Sequence, residues 1–338
     1  MDNIFGDAAE RLFGETCTPE VIRRAEQGQP PADAWQACED AGFADALVLE
    51  DHGGAGLGMA DALPVVLAAG RHLCPYPIAH TLLARAWLSR AQRPQATGSI
   101  AIAAHGLAID GERIAGTGIP WIRCADYVLA GIDGQTWLLP AHAARVETTG
   151  VHGSLDGAAS WALADAERID GPAPLDTLAA AAYAGLIAGA MDRVLAMTLD
   201  YANQRTQFGK PIGRFQAVQQ QISVMAEQVW AARMAAQLAF QGHDGLPRPL
   251  LAALGKARVS QAVPQVADIA HAVHGAIGVT EEFDLQLYTR RLREWRLAAG
   301  SEFHWHERIG ADAITAGVDA LSYLRTALYG KEAEGAIA

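Results

Sequence analysis

Apolar residues follow three successive patterns along the chain. Between Arg214 and Gly242 they fall at Phe215, Val218, Ile222, Met225, Val229, Ala232, Ala236 and Phe240. Steps of three and four put all of them on one side of a helix, the side that faces a core. Leu186, Ala190, Val194, Met197 and Tyr201 repeat the stripe just upstream, and further helices are predicted at 248–273, 284–298 and 302–328, the last closed by Gly330. Long helices with short connections imply an antiparallel bundle. From about 98 to 168 the pattern shortens. Asp110-Gly111 and Asp133-Gly134 each sit between short apolar runs, a hairpin signal, with strands expected at 127–132 and 136–139. The first 90 residues read as shorter helices, such as 32–41 and 59–73, interrupted by Pro30-Pro31 and by Pro75 and Pro77. The expected organisation is a mainly α chain with a small β domain. A helical region spans 1–92, a central β domain 93–172 and a helical bundle 173–330, with a tail at 331–338 and a boundary near Gly171-Pro172.

Composition narrows the possible partners. The 338 residues are 51% hydrophobic and 19% charged, with a formal net charge of -12, which argues against a nucleic-acid polyanion. The uncharged run 178–191 is too short to span a bilayer, and the first residues lack the basic start of a signal peptide, so no membrane association and a cytoplasmic location are expected. Cys17, Cys38, Cys74 and Cys124 show neither a paired nor a metal-binding spacing and read as free thiols, buried or partly buried.

The most specific segment runs from Tyr201 to Ile212, Tyr-Ala-Asn-Gln-Arg-Thr-Gln-Phe-Gly-Lys-Pro-Ile, followed by Phe215-Gln216 and Gln219. It resembles the acyl-CoA dehydrogenase pattern in which one helix ends in Arg-x-x-Phe-Gly-Lys and a Phe-Gln pair opens the next. The resemblance implies that Arg205 reaches the pyrophosphate of a neighbouring subunit's FAD, with Gln207, Phe208, Phe215 and Gln216 around it. A guanidinium suits that task, being a permanent, forked donor. A basic residue at a helix C-terminus is also favoured by the helix dipole, which would account for Arg205 but not for the rest of the motif. A second match, His274-Gly-Ala-Ile-Gly-Val-Thr280 and then Leu287-Tyr-Thr-Arg290, resembles the family's glycine-rich turn beside the adenosine half of FAD. It adds His274, Gly275 and Gly278 to the implied cofactor contacts, although Ala272 stands where many members have glutamine. The turn at 47–58 resembles the family's N-terminal glycine turn; its Gly54, Gly56 and Gly58 do not fit a dinucleotide fingerprint.

The family's reaction needs a carboxylate to take the α-proton of a thioester while the β-hydride passes to the flavin. Aligned without gaps from the two motifs, the family's two base positions fall on Ala299, before Gly300-Ser301, and on Ala179. A methyl group takes no proton, so the chain is expected to contribute no catalytic residue. The family's Thr-Glu-Pro-x-Ala-Gly-Ser-Asp loop has no counterpart, and its Trp-Ile-Thr strand, which faces the flavin ring and pyrophosphate, is matched only by Trp121-Ile122-Arg123. Trp121 reads first as a packing residue. No metal site is expected: His304 and His306 point to different faces of a helix, and His271 with His274 lack a third ligand. Glu302 or Glu307 is the candidate for a relocated base.

This pattern of retention and loss resembles the base-less, β-type subunits of heteromeric bacterial acyl-CoA dehydrogenases. What it implies is an α2β2 assembly with a paralogous subunit that carries the glutamate and an acyl-CoA substrate of steroid or bile-acid side-chain type; an electron-transfer flavoprotein is one candidate partner, and the sequence leaves the electron acceptor open. Two alternatives stay open: a self-sufficient FAD enzyme, and a non-catalytic acyl-CoA-binding or scaffold protein.

Overall fold

The computed structural model describes residues 4–30, 32–93, 97–171 and 173–329. Pro31, Pro172, Gly330 and the tail 331–338, each part of a sequence expectation, lie outside the described residues.

Five helices come first: α1 (Ile4–Thr16), α2 (Pro19–Glu26), α3 (Ala32–Asp40), α4 (Met59–Arg71) and α5 (Ile78–Arg90). Helix α5 is buried along almost its whole length, because it packs between α6 and the β region. Eight strands follow: β1 (Ile100–Ala103), β2 (Leu107–Asp110), β3 (Arg113–Ile119), β4 (Tyr127–Ile132), β5 (Gln135–Pro140), β6 (Arg145–Thr148), β7 (Gly157–Ala162) and β8 (Glu167–Ile169). They form two four-stranded sheets, ordered β1-β4-β5-β8 and β2-β3-β7-β6, with β1 and β4 parallel and the other pairs antiparallel. Both Asp-Gly pairs mark hairpins: Asp133 and Gly134 have φ of 50° and 73° and turn β4 into β5, and Gly111 (φ 58°) turns β2 into β3.

Apart from two short hairpins at 206–211 and 242–247, the rest of the described chain is helical: α6 (Leu175–Gln204), α7 (Gln216–Ala239), α8 (Pro249–His274), α9 (Leu285–Leu297), α10 (Glu302–Ala316) and α11 (Ala320–Tyr329). On α7 the stripe Met225, Val229, Ala232 and Ala236 is fully buried, as are Leu186, Ala190 and Val194 on α6. The expected single helix over 302–328 is instead two. Gly317 takes a left-handed φ of 66°, its N–H caps Ile314 O at 3.2 Å, and the chain re-enters helix at Ala320. Helix α6 is longer than its uncharged run and passes the length and hydropathy test for a membrane span, but 83% of that window is buried inside the protein, which makes it the core helix of the bundle.

Helices α4 and α6 cross at van der Waals distance, and glycine permits it. A Cβ on Gly70 would lie 2.2 Å from Leu186 O, and one on Gly189 2.0 Å from Leu67 O. This crossing joins the N-terminal helices to the bundle.

Candidate functional site

The Arg205 motif forms a projecting hairpin. Helix α6 stops at Gln204, and Arg205 leaves it with extended backbone. Thr206-Gln207 then pairs antiparallel with Lys210-Pro211 around Phe208 (φ 50°) and Gly209 (φ 76°). Two consecutive left-handed residues make a tight turn of the kind that matches strand twist. Phe208 is 91% exposed, and its ring meets Phe215 edge to face at 6.2 Å. The Lys210 ammonium sits 4.3 Å above the Phe215 ring. Arg205, Gln207 and Gln216 are exposed, and among the described residues no side-chain partner holds the Arg205 guanidinium. The hairpin therefore offers a cation and an aromatic ring to another molecule.

The second motif lies against the first. His274 ends α8 and stacks on Tyr201 at 4.5 Å and 25°, and Tyr201 Oη donates to His274 O at 3.2 Å. The His274 ring is buried: its Nδ1–H donates to Ala270 O at 2.8 Å while Nε2 has no partner. Burial lowers its pKa and keeps the ring neutral. The imidazole thus packs inward, and what the turn presents outward is the backbone of Gly275 (φ 66°, ψ −146°, a glycine region) to Ile277. Gly278 is buried, with His274 Cβ at 3.0 Å from where a methyl would stand. Gly54 is likewise structural, since a Cβ there would meet Val48 O at 2.3 Å.

Ala179 is buried on α6. Ala299 sits in the turn between α9 and α10 with φ 51°, followed by Gly300 at 92°. Two side chains fix this turn. Lys256, fully buried on α8, donates to Ser260 Oγ, Arg296 O and Gly300 O at 2.8, 3.0 and 2.9 Å, and Trp305 Nε1 donates to Ala299 O at 3.0 Å. Burial pulls the Lys256 ammonium down to about 7 against the pull of Glu302. Glu302 is ion-paired with Arg296, which holds its carboxyl below the usual range; a carboxylate so engaged makes a poor base. Glu307 is exposed.

Trp121 is a core residue. It lies between the β region and the bundle, stacked on Tyr183 of α6 at 5.8 Å and 22°, with Trp295 of α9 at 6.1 Å and His80 of α5 at 4.8 Å. Next to it, Arg123 donates to Ser154 O and Glu26 O. Arg291 bridges Glu26 and Glu294 at 3.4 and 2.8 Å, and Ser154 Oγ donates to Glu294. Asp156 accepts the Trp121 N–H at 3.0 Å, and burial, with the Glu294 charge adding to it, pushes its carboxyl up to about 7. These contacts lock the 151–157 loop to α2 and α9.

One feature has no counterpart in the sequence motifs. A cavity of about 650 Å³ opens between the starts of α6 and α8 and the side of α10, walled by Thr177, Arg248, Leu250, Trp305 and Arg308. Arg308 lies 4.9 Å from the Trp305 ring and 3.1 Å from Asp176. The Trp305 ring thus both lines the cavity and holds the Ala299 turn. Its residues come from three separate stretches of chain, and no contiguous motif pointed to it.

Comparison with known proteins gives this geometry a family. Residues 2–94 match the model for the acyl-CoA dehydrogenase N-terminal domain and 177–314 that for the C-terminal domain. The chain is 32% identical to acyl-CoA dehydrogenase IpdE2 of Mycobacterium tuberculosis, over 83% of this chain and 87% of that protein. Its fold is similar to that of the ChsE4-ChsE5 complex from Mycobacterium tuberculosis, with a TM-score of 0.79 at 22% identity over 95% of this chain and 99% of that one. It is also similar to a Tcur3481-Tcur3483 steroid acyl-CoA dehydrogenase variant, with a TM-score of 0.78 at 24% identity over 92% and 97%. Carrying both domain models and the helix–sheet–helix order described above, the chain belongs to the acyl-CoA dehydrogenase family of FAD-linked oxidoreductases.

Proposed function

We propose that this chain is the base-less subunit of a heteromeric acyl-CoA dehydrogenase, completing the FAD site of a paralogous partner that carries the catalytic glutamate. The observation that carries this reading is a contrast within one molecule. The space beside the Trp121 turn that follows β3, where the family resemblance puts a subunit's own flavin ring, is filled by Trp121, Tyr183 and Trp295. The Arg205 hairpin, by contrast, stands exposed and ready to be shared. The residues present fit the pyrophosphate and adenosine end of FAD presented by another subunit, and do not fit a flavin ring held within this chain.

FAD supplies the hydride acceptor for the substrate β-carbon. In this reading the partner's carboxylate takes the α-proton. Arg205 forks onto phosphate oxygens, Phe208 and Phe215 cover an apolar ring face, Gln207 and Gln216 supply amide hydrogen bonds, and the Gly275–Gly278 turn brings backbone close. Ala299 and Ala179 occupy the two base positions, His274 shapes the turn from inside, and the domain limits fall at 92 and 172. A steroid-type side-chain thioester is the substrate class, supported by the fold shared with a steroid acyl-CoA dehydrogenase, and the cytoplasm is the proposed location.

The test is an absorbance spectrum of the chain purified alone and together with its partner. Flavin colour is expected only in the assembly. One tightly held FAD per isolated chain would instead favour a self-sufficient enzyme. The cavity with Arg248 and Arg308 on its wall favours a second reading, a chain that holds an acyl-CoA without turning it over; calorimetric titration of the isolated chain with coenzyme A separates the two.

A further inference from the structure

The aromatic cluster that fills the space beside the β region has three properties that ordinary core packing leaves unexplained. Trp121 holds a left-handed φ of 47°, a conformation that bulky residues rarely adopt and that persists only where the surroundings enforce it. Here they do: its N–H is tied to Asp156, and the 154–156 loop is tied in turn to Glu294 and Arg123. Second, Trp121 Nε1, Tyr183 Oη and His80 Nε2 are all buried without a hydrogen-bond partner, although such groups are nearly always paired in native interiors. Third, the three rings pack on one another, with His80 T-shaped to both Trp121 and Tyr183 at centroid distances of 4.8 Å. His80 Nδ1 accepts the Ile102 N–H at 3.1 Å, so its Nε2 carries the proton. Burial drives this imidazole down to about 3 and keeps it neutral. His80 and Tyr183 therefore bring two unused donors to the aromatic cluster around the Trp121 indole.

We infer that Trp121 is an internal occupant of a planar-ring site, an indole standing where a bicyclic ring with acceptor atoms along its edge would otherwise lie. The walls are aromatic, the unused donors of His80 and Tyr183 ask for carbonyl or ring-nitrogen acceptors, and the indole supplies none. Pyrimidinedione-fused rings have this chemistry. By filling the slot from within, Trp121 keeps the chain from holding such a ring itself. The inference rests on the reading that the chain houses no flavin ring of its own and names the residue responsible.

The experiment uses the isolated chain. Trp121→Gly empties the slot at a backbone position that glycine accepts, and Trp121→Asn does so with a residue tolerant of left-handed φ. Each is titrated with lumazine, an acceptor-edged bicycle, and with indole, which has no acceptor. Both variants should bind lumazine about tenfold tighter than indole, the gain of one further satisfied hydrogen bond, while the wild type shows no saturable uptake. Equal affinity for the two rings reduces the slot to an apolar cavity and overturns the inference, as does wild-type binding as tight as the variants'. Tyr183→Phe provides a measurement that opens no cavity. Removing a hydroxyl that truly lacks a partner leaves the melting temperature unchanged or raised, and a clear fall shows that the hydroxyl is already satisfied and no ligand is missing. Because no partner subunit is used, failure here leaves the Arg205 contact untouched.

Discussion

Asp156 offers a quantitative check on how the β region is locked to the bundle. Its carboxyl is pushed from 3.8 up to about 7, first by burial and then by the Glu294 carboxylate, with Arg291 and the Trp121 N–H pulling the other way. An acid whose pKa is raised on folding stays protonated in the native state after the unfolded chain has ionised. The unfolded state then binds fewer protons, so stability falls as pH rises from about 4 to about 7 and levels off above that. At 1.36 kcal/mol per pKa unit the full shift corresponds to about 4 kcal/mol. Relaxation of Ser154, Arg291 and Glu294 around the ionised group brings the expected loss down to about 1–3 kcal/mol. Asp156→Asn keeps an acceptor for the Trp121 N–H and cannot ionise. It should stabilise the protein by about that amount at pH 8 and by little at pH 4.5. Urea unfolding of both proteins at the two pH values measures the difference, which cancels contributions common to both, including that of Lys256. An Asn variant less stable than wild type at pH 8, or a difference independent of pH, refutes the account of a carboxyl held protonated by burial.

In the assembled enzyme, Arg205→Ala should weaken FAD binding by about 1.5–3 kcal/mol, the range for hydrogen bonds to charged groups, and Arg205→Lys should recover only part of it because a point charge cannot form the fork; an unchanged flavin dissociation constant in both rules out the contact. Ala299→Gly should stabilise the chain by about 1 kcal/mol, since glycine carries no penalty at a φ of 51°, and a lower thermal midpoint would mean that the alanine methyl contributes packing that outweighs the strain. Ala299→Glu should not give dye-coupled turnover of an acyl-CoA panel by the isolated chain with added FAD, because a base contributes its usual 10²–10⁴-fold only where flavin and substrate are already aligned; robust turnover would establish a self-sufficient site.

What sequence made visible was whatever is local in the chain. The β4–β5 hairpin depends on Asp133-Gly134 and the α7 stripe on a regular spacing, and both could be read directly; the Arg205 segment was legible as a helix end, while its hairpin was not. The break at Gly317 was hidden because apolar residues continue through it, at Ile314, Val318, Leu321 and Leu324, which are exposed in the structure. Periodicity reports a possible face, not whether anything covers it. His274 shows the limit of a motif: its place in the pattern implies proximity to a cofactor, but only the stack on Tyr201 reveals that the ring turns inward. The filled slot was beyond reach, since His80, Trp121, Tyr183 and Trp295 belong to four elements far apart in the chain.

The turn at Ala299 separates two demands that one backbone normally meets together. In base-bearing relatives its shape would be explained by the need to aim a carboxylate, yet here an alanine occupies the left-handed position and the shape persists. The reason lies in what holds the turn. Lys256 spends two of its three donors on the Arg296 and Gly300 carbonyls, and freeing those carbonyls in the interior would leave buried groups unpaired, which costs about 1–3 kcal/mol each. Trp305 adds a third tie at Ala299 O while serving as a cavity wall. Straightening the turn would relieve about 1–2 kcal/mol of backbone strain and break three hydrogen bonds, two of them from Lys256. The balance favours the strained turn with or without a base, so its geometry is evidence of how the bundle is tied together and carries no information about whether this chain abstracts a proton. In the proposed reading that question turns on the side chain at 299, which is a methyl.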